Sequence, residues 1–390
     1  MKILINLNSL KVPLTGIGHY TKNIVKELLK SEHELSAICG SSILKKEEIS
    51  FYLDSFETEF GTKNSGLKSK AVELIRSIPG AYFIKHKLLS FKLRNTMKNL
   101  SNEGYVYFEP SFVPLEYDGK IITTVHDLSF ISYPEFHPEE RVKYLTSMLG
   151  RTVEKSDLIM VDSDFIAGEL NACYSKTSDK VKTLYLGVDE SFSPESLNSD
   201  LMTLEELNLK KDGFILSVGT LEPRKNLVRM LKAYVDLPQE LRKAYPLVIV
   251  GDKGWKNSEL ESILSPLIAN NEVRQIGYVN SDTLRCLFRS AAVFAYPSLY
   301  EGFGLPVIEA MSSGTPVLTS GVGATKEVAG QSACLVDPLC IDSISEGLLK
   351  LLSDKDLRGS MREGGLLRAK QYSWKKCSDE LIKYMEELSK

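Results

Sequence analysis

Short apolar runs alternate with amphipathic stretches along the chain, and no other feature limits its fold so sharply. Residues 2–8 form the first run, and Ile17, Tyr20, Ile24, Val25 and Leu28 then mark one helical face. Further runs lie at 33–39, 105–109, 120–126, 157–162 and 181–186, with helical patterns at 138–155 and 164–174 among them. Runs of this length suit strands, and helices between them return the chain to the same end of a sheet. Such alternation implies an α/β protein with parallel strands and crossover helices.

From 187 to 212 the pattern weakens, with acidic and polar residues around Pro194 and one short helix expected. It restarts at 214–218 and continues at 247–250, 273–276, 293–296, 316–318 and 333–336. A chain of 390 residues is too long for one ordinary core. Two doubly wound domains are therefore expected, at 1–190 and 213–372, with a linker at 191–212. The last stretch, 373–390, is amphipathic and either ends the second domain or crosses back to the first.

Composition matters mainly through charge. With 43% hydrophobic and 25% charged residues, the chain is not disordered, collagenous or a coiled coil. A net charge of −3 argues against nucleic acid as a partner. That balance hides an asymmetry. Between 62 and 98, Lys63, Lys68, Lys70, Arg76, Lys85, Lys87, Lys92, Arg94 and Lys98 face one acid, Glu73. The window carries +8, which leaves −11 for the remainder. Six scattered cysteines without a C-x-x-C pair read as small buried hydrophobes in a reducing compartment. No cleavable leader and no run of 18 apolar residues is present, so a cytoplasmic protein is expected.

Doubly wound sheets bind ligands beyond the carboxyl ends of their strands, so chemistry is expected there. After the first run, Thr15-Gly16-Ile17-Gly18-His19-Tyr20 pairs two glycines ahead of a helix, where amides can meet an anion or an oxygen-rich group. Thr21 breaks the G-x-G-x-x-G fingerprint, which weakens a dehydrogenase reading, and a plain tight turn stays open. Thr124-Val125-His126-Asp127-Leu128 puts an imidazole at a strand end, where a satisfied loop histidine is the alternative. Val218 to Asn226 (V-G-T-L-E-P-R-K-N) places Arg224 and Lys225 beside a helix start, which suits a pyrophosphate better than a surface charge pair does. The strongest signal is Pro297 to Ala310 (P-S-L-Y-E-G-F-G-L-P-V-I-E-A). There the amides of Phe303, Gly304 and Leu305 open a helix between two carboxylates, Glu301 and Glu309, and Pro306 is tolerated in its first turn. Carboxylates beside an anion site repel bare phosphate but accept hydroxyls, so a sugar–phosphate compound fits.

G-I-G at 16–18, H-D at 126–127, G-T-L-E-P-R-K-N at 219–226 and E-G-F-G-L-P-x-x-E-A at 301–310 closely resemble the retaining glycosyltransferases of family 4, in the same order over essentially the whole chain. Residues 125–170 are most similar to bacterial mannosyltransferase-type members that build surface polysaccharide such as O-antigen or capsule. The resemblance implies the GT-B fold, two Rossmann-like domains facing across a cleft, with the acceptor on the first domain and a nucleotide-sugar on the second. Arg224 and Lys225 would clamp the donor diphosphate beside the Gly219 turn. Glu301 would hold hydroxyls of the transferred sugar, and Gly302, Phe303 and Gly304 would offer amides. Glu309 would bind the ribose and Tyr278 and Val279 would border the nucleobase. His126 would contact the transferred sugar, while Gly16 and Gly18 leave space for donor and acceptor.

The same resemblance implies front-face attack by the acceptor hydroxyl, with no metal and no other cofactor. GDP-mannose is the favoured donor, with UDP- and dTDP-sugars open. A lipid-linked glycan is the expected acceptor, with room for other polysaccharide-assembly enzymes as partners. A nucleotide-sugar epimerase or hydrolase and a non-catalytic binding subunit are the competing readings. Asp162-Ser163-Asp164 spells D-x-D, but a helix N-cap is the simpler meaning, and Asp354-Lys355-Asp356 reads as solvated surface. The basic window interleaves Ile84, Leu88, Leu89, Phe91 and Leu93 with its lysines, as an anionic membrane surface would require. That places the protein peripherally on the inner face of the cytoplasmic membrane; a merely soluble basic helix is the alternative.

Overall fold

The computed structural model describes residues 1–11, 14–58, 80–175, 177–251 and 258–390. They form two compact units, Met1–Leu186 with Trp374–Lys390, and Gly187–Ser373. The first carries β1 Lys2–Asn6, β2 Glu34–Cys39, β3 Ser42–Lys45, β4 Val106–Glu109, β5 Ile121–Val125, β6 Leu158–Val161 and β7 Val181–Thr183. Their order is β3-β2-β1-β4-β5-β6-β7, parallel except for β3 against β2. Helices on both faces leave the middle strands no solvent side, which is why β4 and β5 are buried at every residue. The terminal helix Trp374–Ser389 belongs to this unit. Its Leu381 and Met385 are fully buried, and the Trp374 ring lies 6.2 Å from that of Tyr20.

The second unit carries β8 Ile215–Val218, β9 Leu247–Val250, β10 Val273–Gly277, β11 Val293–Tyr296, β12 Val317–Ser320 and β13 Cys334–Val336. All are parallel, in the order β10-β9-β8-β11-β12-β13. Ile215, Leu231, Tyr234, Ile249, Val293 and Leu318 share its core. The stretch expected as a linker contains the helix Asn198–Glu206, and this helix is anchored in the second unit. Arg289 Nε and Nη2 donate to Asp200 Oδ2 and Oδ1 at 2.7 and 2.5 Å, and both side chains are buried.

In each sheet the chain winds outward in both directions from one strand pair, β1 with β4 and β8 with β11. The helices leaving such a pair lie on opposite faces, so a crevice opens at the carboxyl ends of the two strands. In the first unit Asn6 and Glu109 meet there, Nδ2 to Oε2 at 2.6 Å. Burial pushes the Glu109 carboxyl up to about 8, although Tyr107, Asn6 and the Ser111 amide all donate to it.

One expectation needs correction. Only Cys286 and Cys377 are buried, whereas Cys173, the last residue of the helix Asp164–Cys173, is exposed. None of the six is paired. Asp354, Lys355 and Asp356 are exposed, as expected, and Asp354 caps the helix Lys355–Ala369 by accepting from Leu357 N at 2.8 Å. Within the basic window, Lys63, Lys68, Lys70 and Arg76 lie outside the described residues. Lys85, Lys87, Lys92, Arg94 and Lys98 ride on the helix Ala81–Asn102, which buries Leu93, Met97 and Leu100 beside Leu4 and Tyr107.

Candidate functional site

The switch point of the second sheet assembles the strongest sequence signals. Beyond β8 the chain makes the tight turn Pro223–Lys225 and enters the helix Leu227–Val235. Asn226 joins them at φ +62, a left-handed conformation that asparagine tolerates better than most residues. Its Nδ2 donates to the carbonyls of Pro297 at 2.9 Å and Pro338 at 2.7 Å, which fastens the turn to the end of β11. The Leu299 amide adds a bond to Arg224 O at 2.9 Å.

Beyond β11, the loop from Pro297 to Gly304 leads into the helix Leu305–Ser312, with Pro306 in its first turn. Gly304 has φ +99, and a Cβ there would lie 3.0 Å from Thr325 Cγ2, so the turn needs glycine. A Cβ on Gly251, at the end of β9, would sit 2.0 Å from Gly219 O, so these two backbones can pass only because glycine is there. The Lys225 stem packs against Gly219 on its other side.

Glu301 is the hub of the cluster. Its Oε2 accepts from Arg224 Nη1 at 2.8 Å. Its Oε1 accepts from Lys225 Nζ at 2.7 Å, Tyr296 OH at 2.7 Å and Ser298 Oγ at 2.6 Å. Arg224 further donates to Tyr300 O at 3.0 Å and through Nη2 to Glu222 Oε1 at 2.8 Å. Lys225 Nζ also donates to Tyr296 OH at 2.6 Å. Burial opposes ionisation of Glu301, but the Arg224 and Lys225 cations overcome it and hold the carboxyl down at about 2. Burial lowers the Lys225 ammonium, and Glu301 offsets part of that. Two cations are thus preorganised at a strand end, a setting suited to phosphate oxygens.

The remaining expected donor residues are placed around this cluster or apart from it. Gly302 and Phe303 are buried, and the Phe303 ring stands edge-on to Tyr372 at 5.6 Å. Leu305 opens the helix that carries Glu309, and first-turn amides lack intrahelical partners. Burial and the charge of Asp189 raise the Glu309 carboxyl to about 7. Tyr278 and Val279 follow the edge strand β10, and Tyr278 is exposed.

Gly16, Gly18 and His126 lie in the first unit. Gly16 and Gly18 form the first turn of the helix Gly16–Lys30. His126 follows β5 and is buried, with both ring nitrogens engaged. Nδ1 is 2.8 Å from Asp162 Oδ2 and Nε2 is 2.8 Å from Pro110 O. A carbonyl only accepts, so Nε2 carries a proton. Burial pulls the ring's pKa down, but the charge and hydrogen bond of Asp162 outweigh it and raise the value, which favours the imidazolium. The N-cap in Asp162-Ser163-Asp164 is Ser163, whose Oγ accepts from Ile166 N at 3.3 Å.

Asp162, Glu222, Tyr296 and Ser298 do not stand out as site residues in the sequence, although the last three lie inside or beside the quoted motifs. Strand order supplies the missing signal for Asp162. Val125 pairs with Val161 across β5 and β6, so the residues that follow them, His126 and Asp162, emerge side by side.

Comparison with known proteins agrees with this architecture. The family described as glycosyl transferases group 1 matches residues 203–368. O-antigen chain mannosyltransferase B of Escherichia coli is 33% identical over 384 residues, 98% of each chain. The N-acetylgalactosamine-N,N'-diacetylbacillosaminyl-diphospho-undecaprenol 4-alpha-N-acetylgalactosaminyltransferase of Campylobacter jejuni is 27% identical, covering 78% of this chain and 81% of its own. The crystal structure of WaaG, a glycosyltransferase involved in lipopolysaccharide biosynthesis, matches at a TM-score of 0.70 and 16% identity over 98% of both chains. The two Rossmann-like sheets are those of the GT-B fold, and the chain belongs to the group 1 glycosyl transferases.

Proposed function

We propose that the chain moves mannose from GDP-mannose to a lipid-linked or oligosaccharide acceptor in bacterial surface polysaccharide assembly, with retention and without a metal ion. The observation that carries this reading is the Arg224–Lys225 pair held on Glu301 at the β8/β11 crevice. The Escherichia coli relative supports mannose and O-antigen by its name, and the Campylobacter jejuni relative supports a diphospho-undecaprenol acceptor.

In this mechanism Arg224 and Lys225 offset the charge that grows on the departing diphosphate. Glu309 accepts from the ribose hydroxyls, and Tyr278 and Val279 border the base. The acceptor hydroxyl attacks on the face from which the diphosphate leaves, and its proton passes to the departing phosphate oxygen. Glu301 meets a sugar hydroxyl through Oε2, which among the described residues accepts from Arg224 alone, while Oε1 already takes three donors; the carboxylate also fixes both cations. His126, with both nitrogens occupied, serves as a fixed polar contact for the transferred sugar and not as a base.

The helix Ala81–Asn102 is the proposed contact with an anionic membrane. Its Ile84, Leu88 and Phe91 recur at helical spacing and are exposed at 58%, 56% and 74%, with Lys85, Lys87, Lys92 and Arg94 among them. Among the described residues no helix is long and apolar enough to cross a membrane. The protein would act at the inner face of the cytoplasmic membrane.

A thermal-shift screen of nucleotide-sugars in the presence of EDTA tests the reading, since a tight ligand raises the melting temperature by mass action. GDP-mannose should give the largest shift and transfer, with the product's anomeric configuration read by NMR. No shift with any nucleotide or nucleotide-sugar would defeat the assignment. Co-sedimentation with anionic vesicles that survives neutralising the helix lysines would defeat the membrane contact.

A further inference from the structure

The cations of the second unit's crevice are matched by two carboxylates of different standing. Glu301 is 8% exposed and receives four donors, so it is part of the wall. Glu222 stands at the lip, its side chain 18% exposed, and meets Arg224 Nη2 through one oxygen at 2.8 Å. Its main chain acts separately, because Glu222 O accepts from Lys225 N at 3.0 Å and closes the turn whatever the side chain is. The carboxylate therefore lies where a phosphate oxygen would approach the guanidinium edge, and it can be altered without altering the turn.

We propose that Glu222 is an affinity-setting counter-ion, which an anionic ligand must displace from Arg224 in order to bind. The inference rests on the reading of Arg224 and Lys225 as the diphosphate clamp. A diphosphate brings more charge and more oxygens than a lone phosphate and displaces the carboxylate more readily. Glu222 thus weakens every anion at this site by the same factor, and only a ligand with the diphosphate's larger intrinsic affinity still occupies it.

Calorimetric titration of the full chain with inorganic pyrophosphate and with orthophosphate tests this, using the native protein, Glu222→Gln and Arg224→Ala. Glutamine keeps an acceptor beside Nη2 but removes the charge. Pyrophosphate should bind Glu222→Gln about three- to tenfold more tightly at low ionic strength. The gain should shrink as salt is added, and orthophosphate should gain by a similar factor. Arg224→Ala should lose pyrophosphate binding. Tighter binding is not an outcome that a damaged fold produces. Equal or weaker binding by Glu222→Gln, with loss in Arg224→Ala, would overturn the inference and leave the clamp standing. Undiminished binding by Arg224→Ala, or none by the native chain, would overturn the clamp and the inference with it.

Discussion

Replacing Glu301 by glutamine removes the buried charge on which the Arg224 and Lys225 cations rest. In the folded chain the carboxyl is held at about 2, against 4.5 when nothing perturbs it. Each unit corresponds to about 1.4 kcal/mol, so ionised Glu301 contributes about 3 kcal/mol to the second unit at neutral pH. An acid with a lowered pKa stabilises above its unfolded value, and that contribution is lost as pH falls from 4.5 toward 2. The variant leaves Arg224 and Lys225, with side chains only 15% and 14% exposed, without their shared carboxylate. Breaking a buried pair from one side costs about 3–5 kcal/mol, the same magnitude reached independently. Hydrogen exchange read by mass spectrometry on peptides covering β8, β11 and the helix Leu305–Ser312 isolates this unit from the other. Opening in Glu301→Gln should be easier by about 3 kcal/mol near pH 7, and the difference should shrink by about 2 kcal/mol near pH 3. A difference below about 1 kcal/mol at neutral pH, or one that does not change with pH, would refute the assignment of Glu301 as the ionised anchor.

Arg224→Ala and Lys225→Ala should each lower turnover by about a hundredfold or more in initial-rate assays, as expected for loss of a preorganised cation. Wild-type transfer by the double variant would end the clamp mechanism. Asp162→Asn should lower the His126 pKa, because burial, the largest influence on the ring, then acts without the carboxylate that opposes it, a change read by nitrogen NMR across a pH titration. Because a raised histidine pKa stabilises at low pH and loses that effect as pH rises through it, the variant's stability deficit should be largest in acid and shrink as pH rises. Asp200→Asn, which breaks a buried two-point contact with Arg289, should cost the second unit about 3–5 kcal/mol in denaturant unfolding. A deficit within about 0.5 kcal/mol would class the pair as an ordinary surface bridge.

The fold was legible because the middle strands, buried on both faces, are written as apolar runs, and each of the twelve runs from residues 2–8 to 333–336, the partly polar edge runs included, contains a strand. The strand that escaped, β3, is an antiparallel edge of four residues, exposed at both ends, and needs no such run. The terminal stretch was ambiguous for a related reason. An amphipathic helix records that one face is buried but not against what, and only contacts such as Trp374 with Tyr20 place it.

Legibility of the site followed a different rule. Arg224, Lys225 and Glu301 could be found because each stands in a run of turn-forming residues, Gly219 to Asn226 and Pro297 to Pro306, whose glycines and prolines mark strand ends. What could not be read was how their charges are spent. Arg224 and Glu301 are 77 positions apart, and their contact exists because β8 and β11 are neighbours. Strand order is not written in local sequence, so two cations look like a bare positive clamp until the sheet brings an acid to them. The same blindness hid Asp162, which is 36 positions from His126 and looked like part of a D-x-D motif. In both units the strand ends seat a basic side chain on an acid: His126 on Asp162, and Arg224 with Lys225 on Glu301 and Glu222. An incoming anion therefore finds charges whose positions are fixed but whose fields are largely cancelled. Its affinity depends on which counter-ion gives way, and that makes Glu222, the more exposed of the two acids on Arg224, the side chain whose loss should tighten binding.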